Sequence, residues 1–422
     1  MIEIDNNPEI TALIIGFQNN DLSELEDLCF TLGIKILNKV SLSKIDQSPV
    51  YGVGSGKAKE IAAFANELDV DLLVFDFEIS PRKQRNWEKL VQLPVIDRHE
   101  IILRIFAKRA KTKEAVLQIQ LAKLEYSLPR LAHSYGDLAR QRGGNYGSKG
   151  AGETQLELDQ RQVRQKIQQL KKELIQVEKE RQTQRKRRDK LPCPSVAIVG
   201  YTNAGKSTLL NALTGAEVLA EDKLFATLDP TTRRLNIKDC GTVLLTDTVG
   251  FISNLPHSLI NAFKSTLEES KNAQLQLIVL DVSDPNVFKQ YETVISVLQE
   301  IDANSIPKII VLNKIDTIDK NNAVYLQLIK QFPKAITISA KEKKGFDILI
   351  SEICNELLGK KRLLKLPIEK NFLLNDLRKN GIIVNESWQE QHIYVEARIG
   401  PDTDNQTEKP RLLAIFEPYL ID

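Results

Sequence analysis

Between residues 10 and 97, short apolar runs alternate with segments of helical period. Ile10–Phe17, Ile34–Val40, Asp71–Phe77 and Pro94–Asp97 read as strands, with Leu22–Leu32, Lys57–Leu68 and Arg82–Val91 as helices between them. That alternation predicts a small α/β domain over residues 1–96. From about Asp97 the pattern turns helical and charged, and Leu117, Leu121, Leu124 and Leu128 recur at 4-3-4 spacing. After a gap, Leu156, Val163, Ile167, Leu170, Leu174 and Val177 continue a seven-residue repeat. Thr154 with Glu157 makes a capping box, which sets the start of the second helix there. Two helices with matching apolar seams predict an antiparallel hairpin over residues 97–190. At 1.5 Å per residue, about 32 residues give an arm on the order of 48 Å long.

Further on, Ser195–Val199, Val243–Thr246, Leu277–Val282, Lys308–Leu312 and Ala335–Ile338 are short apolar runs separated by helical stretches. They predict a mostly parallel sheet in a domain over residues 195–358. In residues 362–422, Glu369–Lys379 reads as a helix stopped by Asn380-Gly381, and His392–Ile399 and Arg411–Phe416 read as strands. The expected fold class is therefore α/β: a central sheet domain, an N-terminal α/β domain carrying the long hairpin, and a small C-terminal α+β domain.

Composition narrows the setting. The net charge of +2 over 422 residues leaves nucleic-acid binding to local patches. Cys29, Cys193, Cys240 and Cys354 show no CxxC spacing, which argues against a zinc site or disulfide framework and reads as core residues in a reducing compartment. His99, His133, His257 and His392 show no metal-ligand spacing, and His257 reads as a surface residue. No basic leader followed by an apolar stretch and no run of about 18 apolar residues is present, so a cytoplasmic chain without integral membrane contact is expected.

Candidate chemistry sits at the ends of the central apolar runs, where α/β sheets bind ligands. Gly200-Tyr201-Thr202-Asn203-Ala204-Gly205-Lys206-Ser207 follows the first run and is a GxxxxGKS phosphate loop. Its backbone N–H groups cradle phosphates, Lys206 reaches the outer ones and the Ser207 hydroxyl is offered to Mg²⁺. Asp247-Thr248-Val249-Gly250 follows the second run, with Asp247 expected to hold Mg²⁺ through water and the Gly250 N–H to sense a γ-phosphate. Asn313-Lys314-Ile315-Asp316 and Ser339-Ala340-Lys341 close the set. The Asp316 carboxylate accepts only, so it suits the N1–H and exocyclic amine of guanine and is left unpaired by adenine. Each box alone is weak; their order and spacing define a guanine-nucleotide site. Between the first two boxes lies Phe225-Ala226-Thr227-Leu228-Asp229, a candidate first switch with Thr227 as the second hydroxyl on Mg²⁺. An ordinary turn threonine is the plainer reading of Thr227. Phe251 stands directly after Gly250, and its ring cannot orient an attacking water.

Two other stretches draw attention. Gly52-Val53-Gly54-Ser55-Gly56-Lys57 looks like a second phosphate loop, but its spacing is wrong and a tight turn into a helix is the simpler reading. The loop 129–153 holds six glycines, four basic residues (Arg130, Arg140, Arg142 and Lys149), and Tyr135 and Tyr146. Loops this long are functional or disordered, and interleaved cations and aromatics suit structured RNA. Residues 155–190 add twelve basic and six acidic side chains, ending in Arg185-Lys186-Arg187-Arg188. A solvated helix face and a phosphate-backbone contact both account for that run.

Taken together, these residues resemble the HflX GTPases of the Obg/Era-related group. The likeness rests on Gly200–Ser207, Phe225–Arg233 and Asp247–Ile252, and upstream on Gly54–Lys57, Asp97-Arg98, Ile105–Ala110, Leu128–Leu131, Gly143-Gly144 and Gly152–Glu157. It covers roughly residues 50–340; the tip differs from the family pattern at Asn145-Tyr146 and Ser148-Lys149, and residues after about 360 carry little diagnostic likeness. The resemblance implies a cytoplasmic GTPase that uses Mg²⁺; a monomer is expected, with pairing of the heptad stretch between chains left open. Its partner would be the large (50S) ribosomal subunit, with the hairpin near the peptidyl-transferase centre, in splitting or rescue of stalled ribosomes under stress. It also implies nucleotide contacts along Gly200–Ser207, Phe225–Asp229, Asp247–Gly250, Asn313–Asp316 and Ser339–Lys341. A related GTPase of rRNA or tRNA maturation, and a nucleotide-sensing scaffold with incidental turnover, remain open at this point.

Overall fold

The structure is a computed structural model that describes residues 10–17, 21–43, 48, 50–134, 151–188, 193–216, 224–238, 240–253, 264–319, 322–400 and 415–421. Most of the predicted tip loop and His257 lie outside the described residues. The chain forms two compact units. One comprises Met1–Gln184, Glu221–Asp229 and Asn254–Lys264; the other comprises Arg185–Ala220, Pro230–Ser253 and Ser265–Asp422.

The first unit is built on a parallel sheet of order β2-β1-β3-β4, where β1 is Ile10–Phe17, β2 Ile34–Leu42, β3 Leu72–Phe75 and β4 Val95–Asp97. Helices cover both faces, so β1 and β3 are buried along most of their length and carry apolar residues almost without a break, as a doubly covered parallel strand must. Leu13, Ile15, Leu73 and Phe75 share a core with Ile61, Ala65 and Trp87 on α2 (Ser55–Glu67) and α3 (Pro81–Val91). The buried Trp87 donates its indole N–H to the Tyr51 carbonyl at 3.0 Å. Helix α2 begins at Ser55 with Gly54 as its cap, so the glycine-rich stretch 52–57 is a helix entry.

At the carboxyl edge of this sheet, Asp97 caps α4 (Arg98–Arg109) by accepting from the Glu100 N–H at 3.0 Å. The same carboxylate accepts from Tyr126 Oη at 2.9 Å, from the Ile79 N–H at 3.2 Å and from Arg130 at 3.3 Å. Arg130 also donates to Gln84 and to the carbonyls of Tyr126 and Ile79, and its guanidinium stacks on the Tyr126 ring at 3.4 Å. It was expected among the basic groups of the tip loop; instead it is a helical residue whose donors are spent on the protein. Arg98 is held between Asp76, at 2.8 Å, and Glu24.

Two departures from the predicted hairpin appear. The helical stretch after Asp97 is not continuous: α4 ends at Arg109 and α5 (Lys113–Ser134) restarts beyond Thr112. The Thr112 hydroxyl accepts from the Ala115 N–H at 3.2 Å, a local bond that competes with helix continuation. The second helix, α6, is described over Ala151–Arg188, so Thr154 lies inside it rather than at its start. Its 38 residues exceed the expected length. Glu114 pairs with Arg181 and Glu125 with Lys171, so the contacts run up one helix and down the other. Ile167 and Leu170 of the predicted seam are buried.

The second unit holds a six-stranded sheet of order β10-β9-β8-β5-β7-β6, parallel except for the β6–β7 pair. Its strands are β5 (Ser195–Gly200), β6 (Thr231–Ile237), β7 (Gly241–Asp247), β8 (Leu275–Asp281), β9 (Lys308–Asn313) and β10 (Ile336–Thr337). In the same unit lies an antiparallel sheet of order β12-β13-β11-β14: β11 (Lys361–Pro367), β12 (Ile382–Trp388), β13 (His392–Arg398) and β14 (Leu420–Ile421). Leu364, Leu366, Ile393 and Val395 pack there against Leu374 and Leu377 of a helix over Leu373–Asn380. The strand expected at 411–416 is not found where the chain is described: Ile415 and Phe416 are helical, and the last strand is Leu420–Ile421. Cys29, Cys240 and Cys354 are buried and Cys193 is half-buried; burial lifts the Cys29 thiol to about 12. Among the described residues no helix is long and apolar enough to cross a membrane.

Replacing Arg98 with Met leaves the Asp76 carboxylate, only 3% exposed, without its cation. Breaking a buried pair in this way costs about 3–5 kcal/mol. The expected outcome is faster hydrogen exchange across Leu72–Phe75, with exchange in β5 unchanged and partial recovery when Asp76→Leu is added.

Candidate functional site

Four of the predicted boxes converge at the carboxyl ends of β5, β7, β9 and β10, all within the second unit. The phosphate loop leaves β5 at Gly200 and enters the helix Lys206–Thr214, the strand-to-helix geometry that presents N–H groups to an anion. Gly205, at φ +91°, makes the turn; a Cβ there would lie 2.3 Å from Asn313 Nδ2. Lys206 is buried and donates to the Tyr201 carbonyl at 2.6 Å. Burial lowers its pKa to about 8, with Asp247 acting in the opposite direction. The Ser207 hydroxyl donates to Asp247 Oδ2 at 2.6 Å, so hydroxyl and carboxylate meet at one point.

The DxxG stretch is pressed onto this loop. The Thr202 N–H donates to the Phe251 carbonyl at 2.8 Å and the Phe251 N–H to the Gly200 carbonyl at 3.1 Å. A Cβ on Gly250 would lie 2.8 Å from Thr202 Cα and 2.9 Å from Lys206 Nζ. Thr248 is a structural residue, its hydroxyl donating to the Ile198 carbonyl at 2.8 Å, and Val249 is buried. The Phe251 ring is 2% exposed. Tyr201, predicted only as a loop position, also braces the far side of this stretch, where its hydroxyl accepts from the Ser253 N–H at 2.6 Å.

In the base-reading boxes the residues divide their labour. Asn313 Nδ2 donates to the Ala204 carbonyl at 2.9 Å, and its Oδ1 accepts from the Ala340 N–H at 3.0 Å. It is a strut between the phosphate loop and the Ser339–Lys341 turn. Lys314, in the left-handed region at φ +66°, pairs with Asp281 Oδ2 at 2.7 Å. Asp281 was not foreseen, although it ends the apolar run through β8. Ile315 donates its N–H to the Ile338 carbonyl. Ser339 donates to Asp316 Oδ1 at 2.5 Å, fixing the carboxylate and holding its pKa below the usual range. Lys341 is exposed and adds to that lowering.

The first-switch candidates fare differently. Phe225 and Asp229 were expected on the nucleotide, yet their side chains are engaged in the first unit. Phe225 is 2% exposed and stands edge-on to Phe106, with ring centroids 4.6 Å apart. Asp229 accepts from the N–H groups of Lys111 and Thr112 and from the Thr112 hydroxyl. The Phe225 ring and the Asp229 carboxylate are thus committed to protein contacts in this structure. Leu228 is buried, and Ala226 and Thr227 are half-buried between those anchors. Thr227 belongs to the first unit, Ser207 and Asp247 to the second.

Two substitutions probe this site. Gly250→Ala forces the DxxG stretch off Thr202 and Lys206, so titration should show GTP affinity falling well over tenfold, because backbone must move. Ser339→Ala frees the Asp316 carboxylate: GTP affinity should fall about tenfold and the margin over ATP should narrow. Because Ser339 holds the Asp316 pKa down, the loss of GTP binding on acidification should begin at higher pH in Ser339→Ala than in the parent chain.

Comparison with known proteins agrees with this geometry. Residues 19–107 match the GTP-binding GTPase N-terminal family, residues 109–188 the GTP-binding GTPase middle region, and residues 195–314 the 50S ribosome-binding GTPase family. The GTPase HflX of Akkermansia muciniphila is 41% identical over 420 residues, covering 94% of this chain and 96% of that protein. That of Escherichia coli K12 is 41% identical over 405 residues, covering 95% and 93%. The solved structure of a GTP-binding protein from Sulfolobus solfataricus in complex with GDP is 25% identical with a TM-score of 0.45, covering 82% of this chain and 97% of that one. The fit of a guanine-nucleotide site to relatives matched almost from end to end leaves one assignment: this chain belongs to the HflX family of GTPases.

Proposed function

We propose that this GTPase works in the cytoplasm as a monomer, uses Mg²⁺, is activated by the large (50S) ribosomal subunit, and serves in splitting or rescue of stalled ribosomes under stress. The observation that carries the reading is Phe251. Groups that hold phosphates are assembled around Gly200–Ser207, yet the residue after Gly250 is a buried apolar ring pinned by its own backbone. Phosphoryl transfer to water needs the water oriented, and a phenyl ring supplies no hydrogen bond for that. Hydrolysis therefore waits on a group brought by a partner. The match of residues 195–314 to a 50S ribosome-binding family supports the large subunit as that partner.

In this reading the Lys206 ammonium exchanges the Tyr201 carbonyl for the outer phosphates, and the Gly250 N–H senses the γ-phosphate. The Ser207 hydroxyl, beside Asp247, would offer oxygen donors suited to a small hard cation, with Asp247 acting through water and Thr227 as the expected second hydroxyl. Mg²⁺ held by these groups would supply positive charge to offset the charge that develops in transfer. Residues 97–190 serve as the arm that approaches rRNA near the peptidyl-transferase centre, with residues 1–96, 195–358 and 362–422 as the other regions. Arg140, Arg142 and Lys149 carry the tip's charge in this scheme, since Arg130 is committed to Asp97.

The test is GTP hydrolysis with and without purified 50S subunits, with 30S subunits as control. A large rise specific to 50S is expected, and deletion of 140–150 should abolish it while leaving GTP affinity intact. No rise with any ribosomal particle overturns the reading and leaves a GTPase of rRNA or tRNA maturation and a nucleotide-sensing scaffold in its place.

A further inference from the structure

The strand between the two nucleotide-binding loops ends in a carboxylate that belongs to none of the boxes. In the six-stranded sheet, β8 separates β5, which leads into the phosphate loop, from β9, which leads into Asn313–Asp316. Asp281 is the last residue of β8 and lies opposite Asn313 in the β8–β9 ladder. Its Oδ2 holds Lys314 Nζ at 2.7 Å, and its Oδ1 accepts from the Ser283 N–H at 2.9 Å and from Ser283 Oγ at 2.5 Å. The Asp281 side chain is 13% exposed and that of Lys314 29%, so the pair is largely shielded from water. All of these residues belong to the second unit.

Lys314 is pinned at both ends. Its backbone is in the left-handed region, at φ +66°, a conformation uncommon for a residue with a Cβ. Its carbonyl accepts from the Thr317 N–H at 3.1 Å and from the Thr317 hydroxyl at 2.7 Å. Its ammonium is drawn back to Asp281, so the four-carbon stem crosses the carboxyl end of β8 from the base-reading side. The Lys314 charge also reaches the phosphate loop: after burial, which leads, it helps to lower the Lys206 pKa. A nucleotide with its phosphates at Lys206 and its base at Asp316 must span that gap, and the stem borders it. A lysine stem is apolar and covers apolar surface once its charged head is satisfied elsewhere.

We infer that Asp281 is a positioning residue for guanine nucleotides, holding the Lys314 stem as the apolar floor on which the nucleoside lies. With Asp281 in place the stem is ordered before nucleotide arrives, so that ordering cost is not drawn from binding. This rests on the reading of Asn313–Asp316 as the guanine box. The floor serves any purine nucleoside, so its loss should weaken GDP, GTP and ITP alike and leave the chemical step untouched.

The experiment uses the full chain and measures GDP, GTP and ITP affinity by titration, with kcat and KM for GTP, in Asp281→Asn, Lys314→Met, their double variant and Asp316→Ala. Asp281→Asn keeps an oxygen for Ser283 and loses the ion pair. All three affinities should fall about fivefold, the scale of one such pair, with KM for GTP raised in step and kcat at the parent value. The GTP:ITP ratio should not move, because ITP lacks only the exocyclic amine that Asp316 reads. In Lys314→Met the Asp281 carboxylate is left without its cation, so adding Asp281→Asn should not weaken binding further. Parent-like affinities in Asp281→Asn, or additive losses in the double variant, overturn the inference. So does a shift in the GTP:ITP ratio or a fall in kcat, which marks a general disturbance of the site. An Asp316→Ala chain that still prefers GTP over ITP overturns the reading of the box instead.

Discussion

One buried amide ties the nucleotide site together. The phosphate loop leaves β5 and the base-reading box leaves β9, with β8 between them, so neither loop touches the other through the sheet ladder. Asn313, 2% exposed, closes that gap by donating to the Ala204 carbonyl and accepting from the Ala340 N–H. Backbone groups left without such partners in a buried loop are costly, so the amide satisfies both loops while fixing their spacing. Gly205 is the counterpart: only a residue without a Cβ lets the loop lie that close to the Asn313 side chain. The distance between the groups that hold phosphate and the carboxylate that reads the base follows from this contact.

Around that strut, each functional side chain is held by a second group. Asp316 is oriented by Ser339, Lys314 by Asp281, Ser207 by Asp247, and the DxxG stretch by Tyr201 and the Gly200–Phe251 backbone pair. Orientation by supporting hydrogen bonds is what makes a site of exposed loops selective. It also explains why a motif residue need not be a ligand. Asn313, Thr248 and Val249 belong to their boxes because they hold the boxes in shape.

Strands β5, β7, β9 and β10 and the four boxes that follow them were legible in the sequence because each apolar run is short, largely buried and followed by its polar box, whereas β6, with Arg233 and Arg234 exposed at the sheet edge, and β11 were not foreseen. What was not legible depended on contacts distant in the chain. Nothing local to Phe225 or Asp229 says that they pair with Phe106 and Thr112 rather than with a nucleotide. Arg130 reads as a loop cation until Asp97 and Tyr126 are brought beside it. At the break after Arg109 the Thr112 hydroxyl accepts from the Ala115 N–H, and Thr154 lies within a helix although its capping box fits every local rule. The strand Ile382–Trp388 escaped notice because its second half is polar and exposed, as suits an edge strand.

The division of the chain separates the first-switch segment from the four boxes. The four boxes lie within the second unit, whereas Leu224–Asp229 clusters with the first, and the chain crosses from one to the other between Asp229 and Pro230. Pro230 narrows the backbone freedom of that crossing, and Thr231 is at once in register with Asp247. Within the second unit the β6–β7 ladder holds Thr231 opposite the residue that accepts from Ser207, so the strand that follows the first-switch segment is fixed by the same sheet that fixes the phosphate loop.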